Sequence, residues 1–374
     1  MKKKILFVTS TRADFGKLKS LIKITKKSKK FSVYIIVTGM HMMRTFGDTH
    51  TEITKFFKSN VIKFRNQRFK DSLDTILTST VEKFSIIVKK IKPDLILIHG
   101  DRIESLGCAL VGSLNRILTA HIEGGEVSGN IDDTIRHAVT KLSHIHFAGN
   151  NKAKKRILSM GEKRNSIFTI GSADMDILLY KKLPPIKFVK KKYDIKFKNY
   201  AILMWHPVTS SIYRLKKDTK KLINFVNYYN QNFVIIYPNN DPGTEIIIDS
   251  YKKLLKAGKN KIFESLRFER FVSLLKNSKF IIGNSSSGIY EAPALGIPTI
   301  NIGERQHKRL NSRAIKNLKI ESLNKYNVDK FLNDYKQIEK KYFGKGNTDK
   351  KFIQVINKNA FWKISTQKYY ADIV

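Results

Sequence analysis

The chain contains a single cysteine, Cys108, in 374 residues. A lone thiol cannot close an internal disulfide, which excludes a cystine-stapled fold and points to a reducing, cytoplasmic setting. Long apolar runs are missing as well. Nothing approaches the roughly 18–20 residues that a membrane-spanning helix requires, so no membrane partner is expected. Lys2-Lys3-Lys4 followed by Ile5-Leu6-Phe7-Val8 imitates the start of a secretory signal, but a signal core needs about 7–15 apolar residues. Those four lead into Thr9-Ser10-Thr11-Arg12 and are expected to form a first β-strand. Acidic residues are scarce, 31 against 71 Lys and Arg, leaving a net charge of +40. An excess of that size can drive nucleic-acid binding through counterion release. Here the lysines are spread along the whole chain, and no RRM, zinc-knuckle or basic-zipper motif accompanies them. A solvated surface is the plainer account: no nucleic-acid partner is expected, and the charge favours an anionic substrate. A GxGxxG fingerprint and metal-ligand spacings are absent too, so neither a cofactor nor a metal is expected.

What is present is ample apolar surface, 41% of residues, at a length that suits two α/β domains better than one core. Apolar strand-like runs alternate with helical stretches, the pattern of parallel sheets flanked by helices. The first half offers strands at 5–8, 33–37, 95–98, 119–122, 145–148 and 167–170, with helices at 17–26, 73–91, 103–114 and 134–142. The second half restarts at 201–205, 233–237, 280–283 and 299–302, with a weaker strand near 261–263. Between the halves, 178–199 is lysine-rich, contains Pro184-Pro185, and is expected to be a linker with its flanks. The domains are therefore placed at 1–177 and 178–359. Two such Rossmann-like domains with parallel sheets facing a central cleft would gather ligand groups just after their strands.

Motifs do occur there. Thr11-Arg12-Ala13-Asp14-Phe15-Gly16-Lys17 opens a helix, where Arg12 and Lys17 could meet a phosphate; a plain cap by Asp14 is the alternative. His99-Gly100-Asp101-Arg102 and His121-Ile122-Glu123-Gly124-Gly125-Glu126 each run from strand to acid. Asp101 could instead cap the helix from Ile103, and Glu126 could be an ordinary loop acid. The two glycines after Glu123 would let a ligand approach the backbone. Asp132-Asp133 opens a helix, as the dipole alone would favour, with Arg136 placed to pair with Asp132. Three acids at successive element ends of one sheet raise one another's pKa values and suit proton transfer. In the second half, His206 ends a strand. Gly283-Asn284-Ser285-Ser286-Ser287-Gly288 then supplies N–H groups and hydroxyls for a diphosphate at a helix start, with Glu291 one turn further on.

Taken together, 11–17, 37–41, 99–102, 121–126, 132–137, 142–146, 170–172, 206–209, 237–241, 266–269 and 283–293 resemble the hydrolysing UDP-N-acetylglucosamine 2-epimerases of bacterial sialic acid synthesis. The resemblance implies a GT-B fold, with a last helix near 360–374, including Ser365-Thr366-Gln367-Lys368, crossing back to the first domain. It also implies catalytic roles for Asp101, Glu123, Asp132 and His206. Substrate contacts are implied for Arg12, Lys17, Arg136, Arg267, Ser286, Ser287, Gly288 and Glu291: Arg12 and Lys17 near the diphosphate, Ser286, Ser287 and Gly288 on it, Arg267 framing the uracil and Glu291 on the ribose. Ser10, Ala173 and Ser211 depart from the family pattern, the last within the substrate segment. The implied activity converts UDP-N-acetylglucosamine and water to N-acetylmannosamine and UDP through 2-acetamidoglucal, in a homodimer or homotetramer. The same chemistry on GDP- or UDP-linked diacetylbacillosamine, a non-hydrolysing epimerase, a GT-B glycosyltransferase and a nucleic-acid-binding protein are the other readings.

Overall fold

The structure, a computed structural model, describes residues 2–129, 131–180, 183–256, 258–306, 309–336 and 344–372. The chain divides into two compact units: residues 1–126, 132–181 and 343–374 in the first, 127–131 and 182–342 in the second.

The first unit holds a seven-stranded sheet of β1 (Lys3–Thr9), β2 (Phe31–Val37), β3 (Val61–Lys63), β4 (Leu95–His99), β5 (Leu118–Ile122), β6 (Ile145–Ala148) and β7 (Ile167–Thr169), in the order 3-2-1-4-5-6-7. Every pairing is parallel. β1, β4, β5 and β6 are buried on both faces, as continuous apolar strands of a helix-covered sheet must be. The second unit repeats the scheme with β8 (Ala201–Met204), β9 (Phe233–Ile236), β10 (Asn260–Phe263), β11 (Ile281–Gly283), β12 (Thr299–Ile302) and β13 (Ile315–Leu318), all parallel in the order 10-9-8-11-12-13. Both sheets thus reverse direction of winding beside their first strand, the switch point where ligands of such sheets bind.

Three expectations from the sequence differ from the structure. Residues 178–199 are not a bare linker: helix Ile186–Lys192 starts directly after Pro185, with Val189 and Tyr200 fully buried; residues 181–182 lie outside the described ones. The segment Val127–Ile131 joins the second unit, where Gly129 donates to the Arg305 carbonyl and Arg309 to that of Val127. The terminal helix lies earlier than 360–374, at Thr348–Ile356. Its Phe352 is fully buried in the first unit's core, 5.1 Å from the Phe147 ring centroid, a burial that contributes about 2–3 kcal/mol. Residues 365–368 are not helical; Lys368 is instead held by Glu162 at 2.7 Å and by the Lys141 carbonyl. Residues 373–374 lie outside the described ones.

Candidate active site

In the first unit, Glu123 directly follows β5 with φ +63°, a left-handed conformation that costs a side chain with a Cβ free energy unless its surroundings impose it. They do. Its N–H donates to the Phe147 carbonyl, and one carboxylate oxygen accepts from the Ser172 hydroxyl. The other oxygen lies 3.2 Å from His99 Nε2 and 3.1 Å from Lys17 Nζ. Burial pushes this carboxyl up, but Lys17, His99 and Ser172 outweigh it and hold Glu123 well below the usual carboxylate range. Glu123 is therefore an ionised, nearly buried carboxylate.

Asp101 sits in the loop after β4, next to Gly100 with φ +71°. It does not cap the following helix; Arg102 occupies that position without a side-chain cap bond. Asp101 is ion-paired with Arg136, whose buried guanidinium also reaches Asp133 at 3.0 Å and the Glu126 carbonyl at 3.3 Å. Asp132 and Asp133 lie in the first turn of helix Ile131–Leu142. Behind the Asp101 loop, His121 Nε2 lies 2.8 Å from the Gly100 carbonyl and Nδ1 3.0 Å from the Thr140 hydroxyl. Burial drives this ring down to about 3, so it is neutral and acts as a prop.

Arg12 begins helix Arg12–Lys27 and lies 3.4 Å from Glu52. Thr11, not Asp14, is the N-cap; Asp14 returns the bond as the third residue of a capping box. The glycines after Glu123 also differ from their expected role. A Cβ on Gly124 would meet His121 Nδ1 at 2.6 Å, and one on Gly125 would meet the Ala153 carbonyl. The protein's own packing requires them. Glu126 accepts from Asn150 Nδ2 at 2.6 Å, which accounts for it as a loop anchor.

In the second unit, Asn284 after β11 is fully buried and ties that loop to the one after β8. It accepts from the His206 N–H at 2.7 Å and donates to the His206 carbonyl at 2.8 Å. The Asn239 N–H donates to His206 Nδ1 at 3.1 Å, so in the neutral ring the proton sits on Nε2. Ser286–Gly288 forms a single 3-10 turn, and the helix behind it, Glu291–Ala294, has only four residues. Glu291 is thus its first residue, not a turn inside. Pro293 offers no N–H, and Gly296 with φ +71° ends the run, so the serine loop has no long helix dipole behind it. Arg267 precedes helix Phe268–Lys276 as its N-cap. A cavity of about 630 Å³ beside His206 in the sequence is lined by Trp205, Ser210, Ser211, Arg214, Asp218 and Glu321.

Residues 23–357 match the family described as UDP-N-acetylglucosamine 2-epimerase. This chain belongs to the UDP-N-acetylglucosamine 2-epimerase family. It is 41% identical, over 99% of both chains, to the UDP-N-acetylglucosamine 2-epimerase of Neisseria meningitidis serogroup B. It is 35% identical, over 86% of each, to the hydrolyzing GDP/UDP-N,N'-diacetylbacillosamine 2-epimerase of Campylobacter jejuni. A crystal structure of UDP-GlcNAc 2-epimerase from Neisseria meningitidis bound to UDP-GlcNAc matches with a TM-score of 0.78 at 20% identity, covering 95% of this chain and 100% of that one. The shared fold is the GT-B-like pair of α/β units, and membership of the epimerase family makes the chain an enzyme. Among the described residues, no helix is long and apolar enough to cross a membrane, and no group of three or more His, Cys, Asp or Glu is placed to hold a metal.

Several groups at the strand ends of each unit carry no expectation from the sequence. Ser172 and Asp174 follow β7, where the same end-of-strand rule applied to β4 and β5 would have found them. His99 was read only as part of a motif. In the second unit, Arg305 and Gln306 both donate to the Asn284 carbonyl, at 3.3 and 2.9 Å, and carry no local signal.

Proposed function

We propose that this chain is a hydrolysing UDP-N-acetylglucosamine 2-epimerase, releasing N-acetylmannosamine and UDP for sialic acid synthesis. The observation that carries the reading is Glu123: a carboxylate held ionised in a strained conformation at the end of β5, with the Asp101–Arg136 pair at the end of the adjacent β4. Family membership, the hydrolyzing Campylobacter relative and the neighbour bound to UDP-GlcNAc support it.

In the reaction a carboxylate takes the proton from sugar carbon 2. The freed electron pair forms the double bond to carbon 1, and the carbon 1–oxygen bond breaks with UDP as leaving group. Water then adds its hydroxyl to carbon 1, and a proton returns to carbon 2 on the opposite face. Two proton transfers on two faces call for more than one acid, and Asp101, Glu123 and Asp132 are the candidates. Arg12, with Ser286, Ser287 and Gly288, would meet the diphosphate, where cation and N–H groups offset the charge that develops on UDP. Glu291 would take the ribose, Arg267 the uracil edge, and His206 the substrate through its Nε2 proton. A homo-oligomer is part of the same reading and is checked by light scattering.

The test is incubation with UDP-N-acetylglucosamine in deuterated water. Free N-acetylmannosamine carrying deuterium at carbon 2, with UDP, is expected; UDP-linked product would mean a non-hydrolysing epimerase. The Campylobacter relative favours one second reading, the same chemistry on a diacetylbacillosamine nucleotide. Side-by-side turnover of UDP- and GDP-linked diacetylbacillosamine decides between them.

A further inference from the structure

The family resemblance implies a place for Lys17 near the diphosphate, yet the structure sets it between carboxylates. Its Nζ lies 3.1 Å from Glu123 and 2.9 Å from Asp174. Asp174 is fully buried at the start of helix Asp174–Tyr180, and the lysine side chain is only 15% exposed. Moving this ammonium onto a phosphate would break both of these buried ion pairs, and breaking a buried pair costs far more than a surface pair returns. Arg12 begins the same helix and, besides the Nε that lies 3.4 Å from Glu52, carries further guanidinium N–H groups that a diphosphate could use.

We infer that Lys17 and Asp174 form the counter-ion pair of Glu123, with Asp174 a positioning residue that holds the lysine against it, and that Lys17 is not a ligand of the diphosphate. The need for a second carboxylate follows from the chemistry, and this step rests on the proposed function. When Glu123 accepts a proton it stops compensating Lys17. Asp174 lies 2.9 Å from the same ammonium, so the buried lysine keeps a carboxyl neighbour before and after proton transfer. Without Asp174, protonating Glu123 would leave Lys17 with less counter-charge in a nearly dry site, and Glu123 would be a poorer base.

Two measurements test this. The first sets UDP binding by calorimetry against turnover for wild type, K17M and D174N. Both variants should bind UDP within about threefold of wild type, with KM little changed. Their kcat should fall, by about 100-fold or more for K17M and about 10-fold or more for D174N, the range of one impaired proton transfer. A tenfold or greater loss of UDP affinity confined to K17M would place the lysine on the diphosphate and overturn the inference, as would an unchanged kcat in D174N. The second is a thermal double-mutant cycle that needs no activity. K17M leaves two carboxylates facing each other, so K17M/D174N should be more stable than K17M, and K17M failing to fold while the double variant folds counts the same way. Additive losses in Tm, or a double variant that does not fold when D174N does, reject the pairing. If wild type neither binds UDP nor releases it, the functional reading falls while the thermal cycle still decides the ion triad.

Discussion

The two units share a strand order but organise their loop ends by different forces. In the first, the residues after β4, β5 and β7 are charged and matched in ion pairs: Glu123 with Lys17, Lys17 with Asp174, Asp101 with Arg136. In the second, the ends of β8 and β11 are joined chiefly by hydrogen bonds to the backbone, with Asn284 clasping both backbone groups of His206 and Arg305 and Gln306 meeting at the Asn284 carbonyl, while Arg305 also lies 3.8 Å from Asp241. Charge held in low dielectric sets where protons reside; hydrogen bonds to the backbone set shape and donor direction. Under the proposed function, the first edge would move protons and the second would recognise a polar ligand.

The sharpest way to break this contrast is Glu123→Gln, which keeps shape and removes the charge. It should lower kcat about 10²–10⁴-fold while leaving UDP affinity intact; a parallel loss of UDP binding would put recognition on the first unit as well. Asn284→Ala should do the reverse. It strands the buried N–H and carbonyl of His206, costing about 3 kcal/mol in chemical denaturation, and should weaken UDP binding more than it slows the bound step. Stability against pH tests the neutral props of the charged unit. His121 and His41, the latter held between the Thr9 and Thr49 hydroxyls at 3.0 and 2.6 Å, are pushed by burial to about 3 and about 4, below the 6.5 expected on unfolding. The unfolded chain therefore takes up protons first, so their contribution is complete above pH 6.5 and lost as pH falls toward 4. Unfolding at pH 7 and pH 5 should differ by roughly 2 kcal/mol for each ring, and replacing His121 by Gln should remove its share of that difference. The smallest effect is expected for Gly124→Ala, whose new Cβ crowds His121 and Thr140. A loss of about 1–2 kcal/mol with turnover reduced more than UDP binding would show that His121 sets the Asp101 loop; full activity would confine the glycine to packing.

Legibility from the sequence follows the same physics. Helices Leu73–Ile91 and Ile103–Leu114 match their expected limits because each carries a long amphipathic or apolar period, and β4, β5 and β6 stand out as short apolar runs between turns. β3 and β13 were missed because they are edge strands of three and four residues, partly exposed and interrupted by Lys63, Lys316 and Asn317. The serine loop is legible as a run of small polar residues, but the helix behind it is shorter than expected because Pro293 lacks an N–H and Gly296 turns left-handed.

By itself the sequence determined the alternation of strand and helix, the two-unit α/β class, and which acids follow strands, since hydrophobic period and turn chemistry are local properties. Only the tertiary structure decided who faces whom: that Ser172 and Asp174, some 50 residues beyond Glu123, close around it and Lys17, and that Asp101 answers to Arg136 rather than to the helix it precedes. Such partners are fixed by sheet order and by where buried charges find compensation, and neither is written in any short stretch of chain.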